Sequence, residues 1–254
     1  MAGDVMHHWI LVLDVENFSS RRDPVQERVR AAMYRALDGA CERARLPRAS
    51  RTTEDRGDGA LVVVTPDVSP LLLVGPLMRE LNEELVQHAE QTNEEHALRL
   101  RVALHQGPTG RDEYGWSGDA VNTAFRLVDA PPLREVLSAA TASRMVFAVS
   151  DGLYRDVVRH AHRSVDPASF LPFEFTAKHD QPLKGWVTAP GYPAPPGLPA
   201  AGARVPSGRP RGGATPVRDQ GLAPRVSQNA GTVQGDMVAG DKIQTVRTSG
   251  DVRL

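Results

Sequence analysis

From about Trp9 to Ala189 the chain alternates short apolar runs with amphipathic stretches, and beyond that it changes character. HWILVLDV is a continuous apolar run of strand length and reads as a buried strand. DPVQERVRAAMYRALDGACERARL predicts a helix, with Asp23 as its N-cap and Pro24 at its first position. ASRTTEDRGDGALVVVTP reads as two strands joined by Arg56-Gly57-Asp58-Gly59. SPLLLVGPLMRELNEELVQHAEQ predicts a second amphipathic helix and LRLRVALHQG a further strand. DAVNTAFRLVDA predicts a third helix, with Ser117 as N-cap. RMVFAVSD (strand), GLYRDVVRHAH (helix) and the strand pair FEFTA and LKGWV complete the series. The order β-α-β-β-α-β, with further α/β elements after it, predicts an α+β fold: a ferredoxin-like sheet with helices on one face.

Beyond Pro190 the chain becomes rich in Pro, Gly, Ala and Arg. Such a segment cannot bury enough apolar surface to offset its ordering entropy, so residues 190–227 are expected to form a disordered, locally extended linker. Residues 228–254 are again β-prone and punctuated by Gly, with few charges and no proline. Segments of this kind suit stacked in-register strands, and a disordered Gly-rich tail fits the same composition. The expected organisation is therefore a folded domain over 1–189, the linker, and a short assembly motif.

Composition narrows the function classes. A hydrophobic fraction of 41% and a charged fraction of 24% are ordinary for a soluble globular protein. A net charge of −1 gives no global field toward nucleic acid or an anionic membrane. The single cysteine, Cys41, excludes a disulfide framework and a Cys-based zinc site. No apolar run approaches the roughly 20 residues that span a bilayer, and Asp4, His7 and His8 interrupt any signal-peptide pattern. The expectation is a cytoplasmic protein without membrane or nucleic-acid partners.

Two carboxylates stand out by position. Asp14 ends the first strand and Asp58 sits at the tip of the following hairpin. In a β-α-β-β layout the first and third strands are neighbours, so the two can converge, as a pair of magnesium ions bridging phosphates requires. Asp-Gly is equally a common hairpin turn, and an Asp after a strand often caps a helix, so spacing leaves both readings open. Asn122 and Arg126 lie one helical turn apart on one face, where an amide and a guanidinium can hold a ribose oxygen and a phosphoryl group. His7, His8 and His105 lack ligand-like spacing and read as structural or solvated.

The runs LVLDVENFSS, EDRGDGALVVV, LRLRVALHQGP and GDAVNTAFRL, in this order and with helices between them, resemble the class III adenylyl/guanylyl cyclase catalytic domain over about residues 9–189. The resemblance implies that Asp14 and Asp58, with the backbone carbonyl of Val15, hold two Mg²⁺ (or Mn²⁺). Arg126 then meets charge on the α-phosphate and Asn122 positions the ribose in a phosphoryl transfer that closes GTP or ATP to a 3′,5′-cyclic nucleotide. FTAKHDQPLKGWV resembles the family's closing strand pair, which places Lys178 at the phosphate-binding lysine; an exposed edge-strand lysine is the other reading. At the base-reading position, four residues before Asp58, stands Glu54. A carboxylate accepts from the N1–H and 2-amino groups of guanine and repels the N1 acceptor of adenine, which favours GTP; Glu54 is otherwise an exposed hairpin charge.

Two departures bear on activity. The family places a longer hairpin arm between the His-x-Gly strand and the Val-Asn helix, where only PTGRDEYGWS intervenes here. That arm helps to form the dimer in which one subunit supplies metals and the other the Asn/Arg pair. The second base-reading position falls near Gly115, which has no side chain. The tail, in Thr232-Val233-Gln234-Gly235 and the Gly-Asp repeats after it, looks like bacterial amyloid-signalling motifs akin to the RIP homotypic interaction motif, which implies assembly with a partner carrying a matching motif. Two functions follow as expectations: a guanylyl-type cyclase acting as a homodimer, or a catalytically silent cyclase-homology adaptor recruited through the tail.

Overall fold

The structure, a computed structural model, describes residues 5–163, 165–177 and 181–198. Lys178, the tail motif and all but the first residues of the expected linker lie outside the described residues. In chain order the elements are β1 (Met6–Val15), α1 (Asp23–Arg43), β2 (Arg51–Asp55), β3 (Gly59–Val64), α2 (Pro70–Val74), α3 (Pro76–Glu90), β4 (Leu100–Asp112) and β5 (Gly115–Ser117). There follow α4 (Asp119–Val128), α5 (Pro131–Ala139), β6 (Met145–Ser150), α6 (Asp151–Asp156), β7 (Leu171–Ala177) and β8 (Gln181–Thr188). The strands join in the order β2-β3-β1-β4-β6-β8-β7, with β5 paired to the end of β4. The first four are arranged as the β-α-β-β-α-β reading requires, and among the described residues only β4 and β6 pair in parallel.

The apolar run of β1 lies at the centre of this sheet and is covered on both sides. Trp9, Leu11 and Leu13 pack with α1 and α3 in one core, while Ile10 and Val12 pack with α4 and α5 in another. The expectation of helices on one face is corrected: helices cover both, because alternate residues of β1, β3 and β4 are apolar on both sides of the pleat. Each fully buried Leu or Val contributes about 1.5–3 kcal/mol relative to exposure. Trp9 also donates from its indole N–H to the Val68 carbonyl at 3.0 Å, which satisfies its one polar atom inside the core.

Several local details differ from expectation. The N-cap of α1 is Arg22, with Asp23 inside the first turn, where a carboxylate complements the helix dipole. The N-cap of α4 is Gly118 at φ 129°, a conformation that side chains avoid, while Ser117 is drawn into β5 by its pairing with Gly110. The second amphipathic stretch breaks into α2 and α3 at Gly75-Pro76, since proline lacks the N–H that would continue the first helix. Helix α5 was not expected. Its signals are Pro131-Pro132 at the first turn and the spacing of Leu133, Val136 and Leu137, all buried. Arg99 secures its C-terminal end by donating to the carbonyls of Leu137 and Ala140 while pairing with Glu16 at 2.9 Å.

Among the described residues no helix is long and apolar enough to cross a membrane. Residues 190–198 continue along the domain: Tyr192 and Leu198 pack against the α4/α5 core, and the Tyr192 hydroxyl accepts from the Ala142 N–H at 3.1 Å.

Gly59 is the tightest point of this architecture, because a Cβ there would collide with the Leu13 carbonyl of the paired strand. Gly59→Ala is expected to lower stability by about 1–3 kcal/mol, read from the urea midpoint at unchanged m-value.

Candidate functional site

Antiparallel pairing places Asp14 of β1 opposite Gly59 of β3 on one side and Arg101 of β4 on the other. The Val15 N–H donates to the Asp58 carbonyl at 3.0 Å, so the end of β1 is bonded to the hairpin tip. Asp14, Asp58 and Gly59 therefore line one cavity of about 560 Å³, whose opposite wall is α4 with Val121, Asn122 and Phe125. The sequence expectation that the two carboxylates converge is met at the level of geometry. The missing Cβ of Gly59 is what allows the strands to close beside them.

The two carboxylates differ in surroundings. Asp58 is exposed, whereas the Asp14 side chain is 15% exposed. Burial raises the Asp14 pKa to about 6, a rise that Arg101 opposes and that Asp58 and Asp129 add to. Arg101 forms an ion pair with Asp14 Oδ2. The guanidinium contacts this oxygen directly, so the buried Asp14 carboxylate is paired with a cation of its own chain. Two carboxylates on one cavity suit a hard cation. Mg²⁺ takes one or two protein carboxylates and fills its remaining positions with water and phosphate oxygens, so Asp14 and Asp58 fit that role together. Among the described residues no group of three or more His, Cys, Asp or Glu is placed to hold a metal by itself.

Strand alternation separates the charges that stand side by side in Glu54-Asp55-Arg56. Asp55 turns toward α1, where Arg30 donates to it at 3.1 and 2.5 Å and Tyr34 at 2.8 Å, holding its pKa at about 2. Glu54 turns the other way. Its Oε1 accepts from the Trp116 N–H at 3.1 Å and its Oε2 from Arg56 at 2.8 Å. Gly115 lies against this carboxylate, so closely that a Cβ would sit 2.8 Å from Oε1. The two expected base-reading positions are thus adjacent in space, with the Glu54 carboxylate already bonded within the chain. Arg56, not Glu54, faces the cavity, its guanidinium 5.4 Å from the Phe125 ring centre.

The segment between His105 and α4 forms a hairpin of its own. β4 runs on to Asp112, Glu113 and Tyr114 turn, and β5 returns. Trp116 fixes it to β2 by donating to Thr52 Oγ1 at 2.8 Å, with its ring against His8 and Arg111. Tyr114 at the tip is 90% exposed. On α4, Asn122 lines the cavity of its own chain; Arg126, one turn on, is half-buried and is not part of that lining. His8 is buried and bonded to Thr109 at 2.8 Å, a structural role, while burial and His7 lower the His105 pKa to about 4. Sequence reasoning missed Arg56, Arg101, Trp116, Phe125 and Asp129. The only signal for Arg101 was its place on the strand beside Asp14, and register is a tertiary fact.

No family model matches the chain, and no curated protein matches it. Solved structures do. The adenylate/guanylate cyclase/hydrolase from Silicibacter pomeroyi superposes with a TM-score of 0.51 at 18% identity, over 74% of this chain and 98% of that one. The guanylyl cyclase Cya2 superposes with a TM-score of 0.50 at 17% identity, over 74% of this chain and 94% of that one. The described domain therefore has the fold of nucleotidyl cyclase catalytic domains.

The raised Asp14 pKa has a signed consequence. In the unfolded chain this carboxyl loses its proton near pH 4 and in the folded one near pH 6. The native state is therefore favoured below that window and loses stability as pH rises through it. In urea titrations without divalent cations, stability should fall between about pH 4 and 6 relative to Asp14→Asn. Parallel profiles for the two proteins would contradict it.

Proposed function

We propose that this domain binds a purine nucleoside triphosphate and closes it to a 3′,5′-cyclic nucleotide, GTP in preference to ATP, as a homodimer with two Mg²⁺ or Mn²⁺ per site. The observation that carries the reading is the meeting of Asp14 and Asp58 in one cavity, with Arg101 beside the buried Asp14 carboxylate. The resemblance to cyclase catalytic domains implies that carboxylates at these positions face a triphosphate. Bound cations supply acidification of the ribose 3′-hydroxyl and neutralisation of phosphate charge.

The chain's own residues provide the rest. Asp14, Asp58 and the Val15 carbonyl hold the cation end. Asn122 orients the ribose, and Arg126 meets the charge that develops on the α-phosphate, with Lys178 on the outer phosphates. In the dimer the Asn122/Arg126 pair serves the partner's carboxylates. Glu54 reads the guanine edge once the Arg56 guanidinium has swung aside or joined the contact. The part of the expected linker that follows residue 198, with the motif over 228–254, gathers copies together, with each other or with a protein carrying a matching motif. Clustering then raises the effective concentration of the second subunit that a shared site needs.

A specific observation favours a second reading. Both Glu54 oxygens are bonded within the chain, Arg101 flanks Asp14, and the arm is a two-residue hairpin. A domain in that state binds nucleotide or a partner without turnover and acts as an adaptor.

The deciding experiment incubates purified full-length protein, at concentrations that permit dimerisation, with GTP and ATP separately and Mg²⁺ or Mn²⁺. Cyclic GMP is the expected product, reduced about 10²-fold or more in Arg126→Ala and lost in Asp14→Ala and Asp58→Ala. No product at any concentration from folded protein would favour the adaptor over the enzyme; cyclic AMP would remove the Glu54 assignment. Arg56→Ala should raise the ratio of GTP to ATP turnover, because it frees a carboxylate oxygen for the guanine N1–H.

A further inference from the structure

A second cavity, of about 400 Å³, opens on another side of α4 and shares no lining residue with the first. His105 of β4, Thr123 of α4, Ser150 at the end of β6, Gly152 of α6 and Lys184 of β8 all border it. Two of these carry buried polar atoms with no hydrogen-bond partner, His105 Nδ1 and Ser150 Oγ. Ser150 is only 6% exposed, and although it precedes α6 its hydroxyl makes no capping bond. Buried hydroxyl and imidazole groups are nearly always bonded to something, and the exceptions point to an occupant.

The chemistry of the walls indicates which kind. Ser150 and Thr123 offer hydroxyls, His105 a neutral imidazole held uncharged by burial, and Lys184 an ammonium at the rim. The one bordering carboxylate, Asp151, is already committed: it accepts from Trp186 Nε1 at 3.0 Å and pairs with Arg155. The Glu174 carboxylate beside Lys184 stands 3.8 Å away and is 75% exposed, so it claims little of that charge. The Ser150 and Thr123 hydroxyls and the Lys184 ammonium are therefore the groups free to donate into this space. We propose that the cavity is a binding site for a small oxyanion, a carboxylate or phosphate group, held by Ser150, His105, Thr123 and Lys184. Thr123 adjoins Asn122 on α4, so an ion here braces the helix that borders the first cavity. The binding itself does not depend on the cyclase reading.

Thermal unfolding of the full-length protein, titrated with sodium acetate and separately with sodium phosphate against sodium chloride at matched ionic strength, tests this. At least one of the two should raise the unfolding temperature saturably beyond chloride, and which one does so distinguishes a carboxylate from a phosphate ligand. Gly152 borders the cavity and a Cβ there meets no atom within 4 Å, so Gly152→Leu adds bulk at this border without a clash at Cβ. Gly152→Leu and Ser150→Ala should each weaken the effect about tenfold or more, while Arg56→Ala leaves it unchanged. Three results would overturn the proposal: no stabilisation beyond chloride, which leaves the cavity to water; full binding in both Gly152→Leu and Ser150→Ala; or loss in Arg56→Ala, which places the ion in the first cavity.

Discussion

The pairing of β1 with both β3 and β4 is the constraint on which the domain turns. One ten-residue strand is bonded along its length to two antiparallel neighbours. Register in such a pair cannot slip by one residue without exchanging the two apolar faces. Both faces of β1 are buried here, one against α1 and α3 and the other against α4 and α5. The position of Asp14 between Gly59 and Arg101 follows from that register alone, and so does the bond from Val15 to Asp58. A carboxylate at the end of a strand locked in this way is positioned by the core.

The electrostatics of the site follow from its depth. Asp14 is buried enough that its charge is disfavoured, and the Arg101 guanidinium contacts its Oδ2 directly. A group in this condition responds to whatever positive charge enters the cavity. Glu54 is in the opposite condition, with both oxygens bonded by the chain's own donors. One acid is buried beside a single guanidinium and the other is bonded at both oxygens. Under the proposed function, that contrast sets Asp14 as the group facing a cation apart from Glu54, whose bonds must rearrange before it can meet a base.

Helix α4 connects these parts. Its inner face packs on the sheet through Val121, Ala124 and Leu127, and Gly107 permits the approach, since a Cβ there would lie 2.7 Å from that of Ala120. Asn122 and Phe125 face the first cavity, and Thr123 and Leu127 the second. The hairpin of β4 and β5 leads directly into this helix and is tied to β2 by Trp116. Side chains of this one helix therefore border both cavities.

Much of the fold was legible in the sequence because its signals are local. Apolar runs such as HWILVLDV, the Asp-Gly hairpin and the helical spacing around Asn122 identify the elements. The β-α-β-β order then makes β1 and β3 neighbours, which is why the convergence of Asp14 and Asp58 was readable beforehand. Local patterns did not place helices on both faces, since a fully buried strand reads the same whatever covers it. They did not reveal α5, whose short stretch lies between stronger signals. Nor could they separate Glu54, Asp55 and Arg56, three adjacent charges that strand alternation sends to different sides. Arg101 beside Asp14 and the second cavity were decided only by tertiary structure. Each depends on contacts between residues distant in sequence, and such contacts leave no mark on any one segment of the chain.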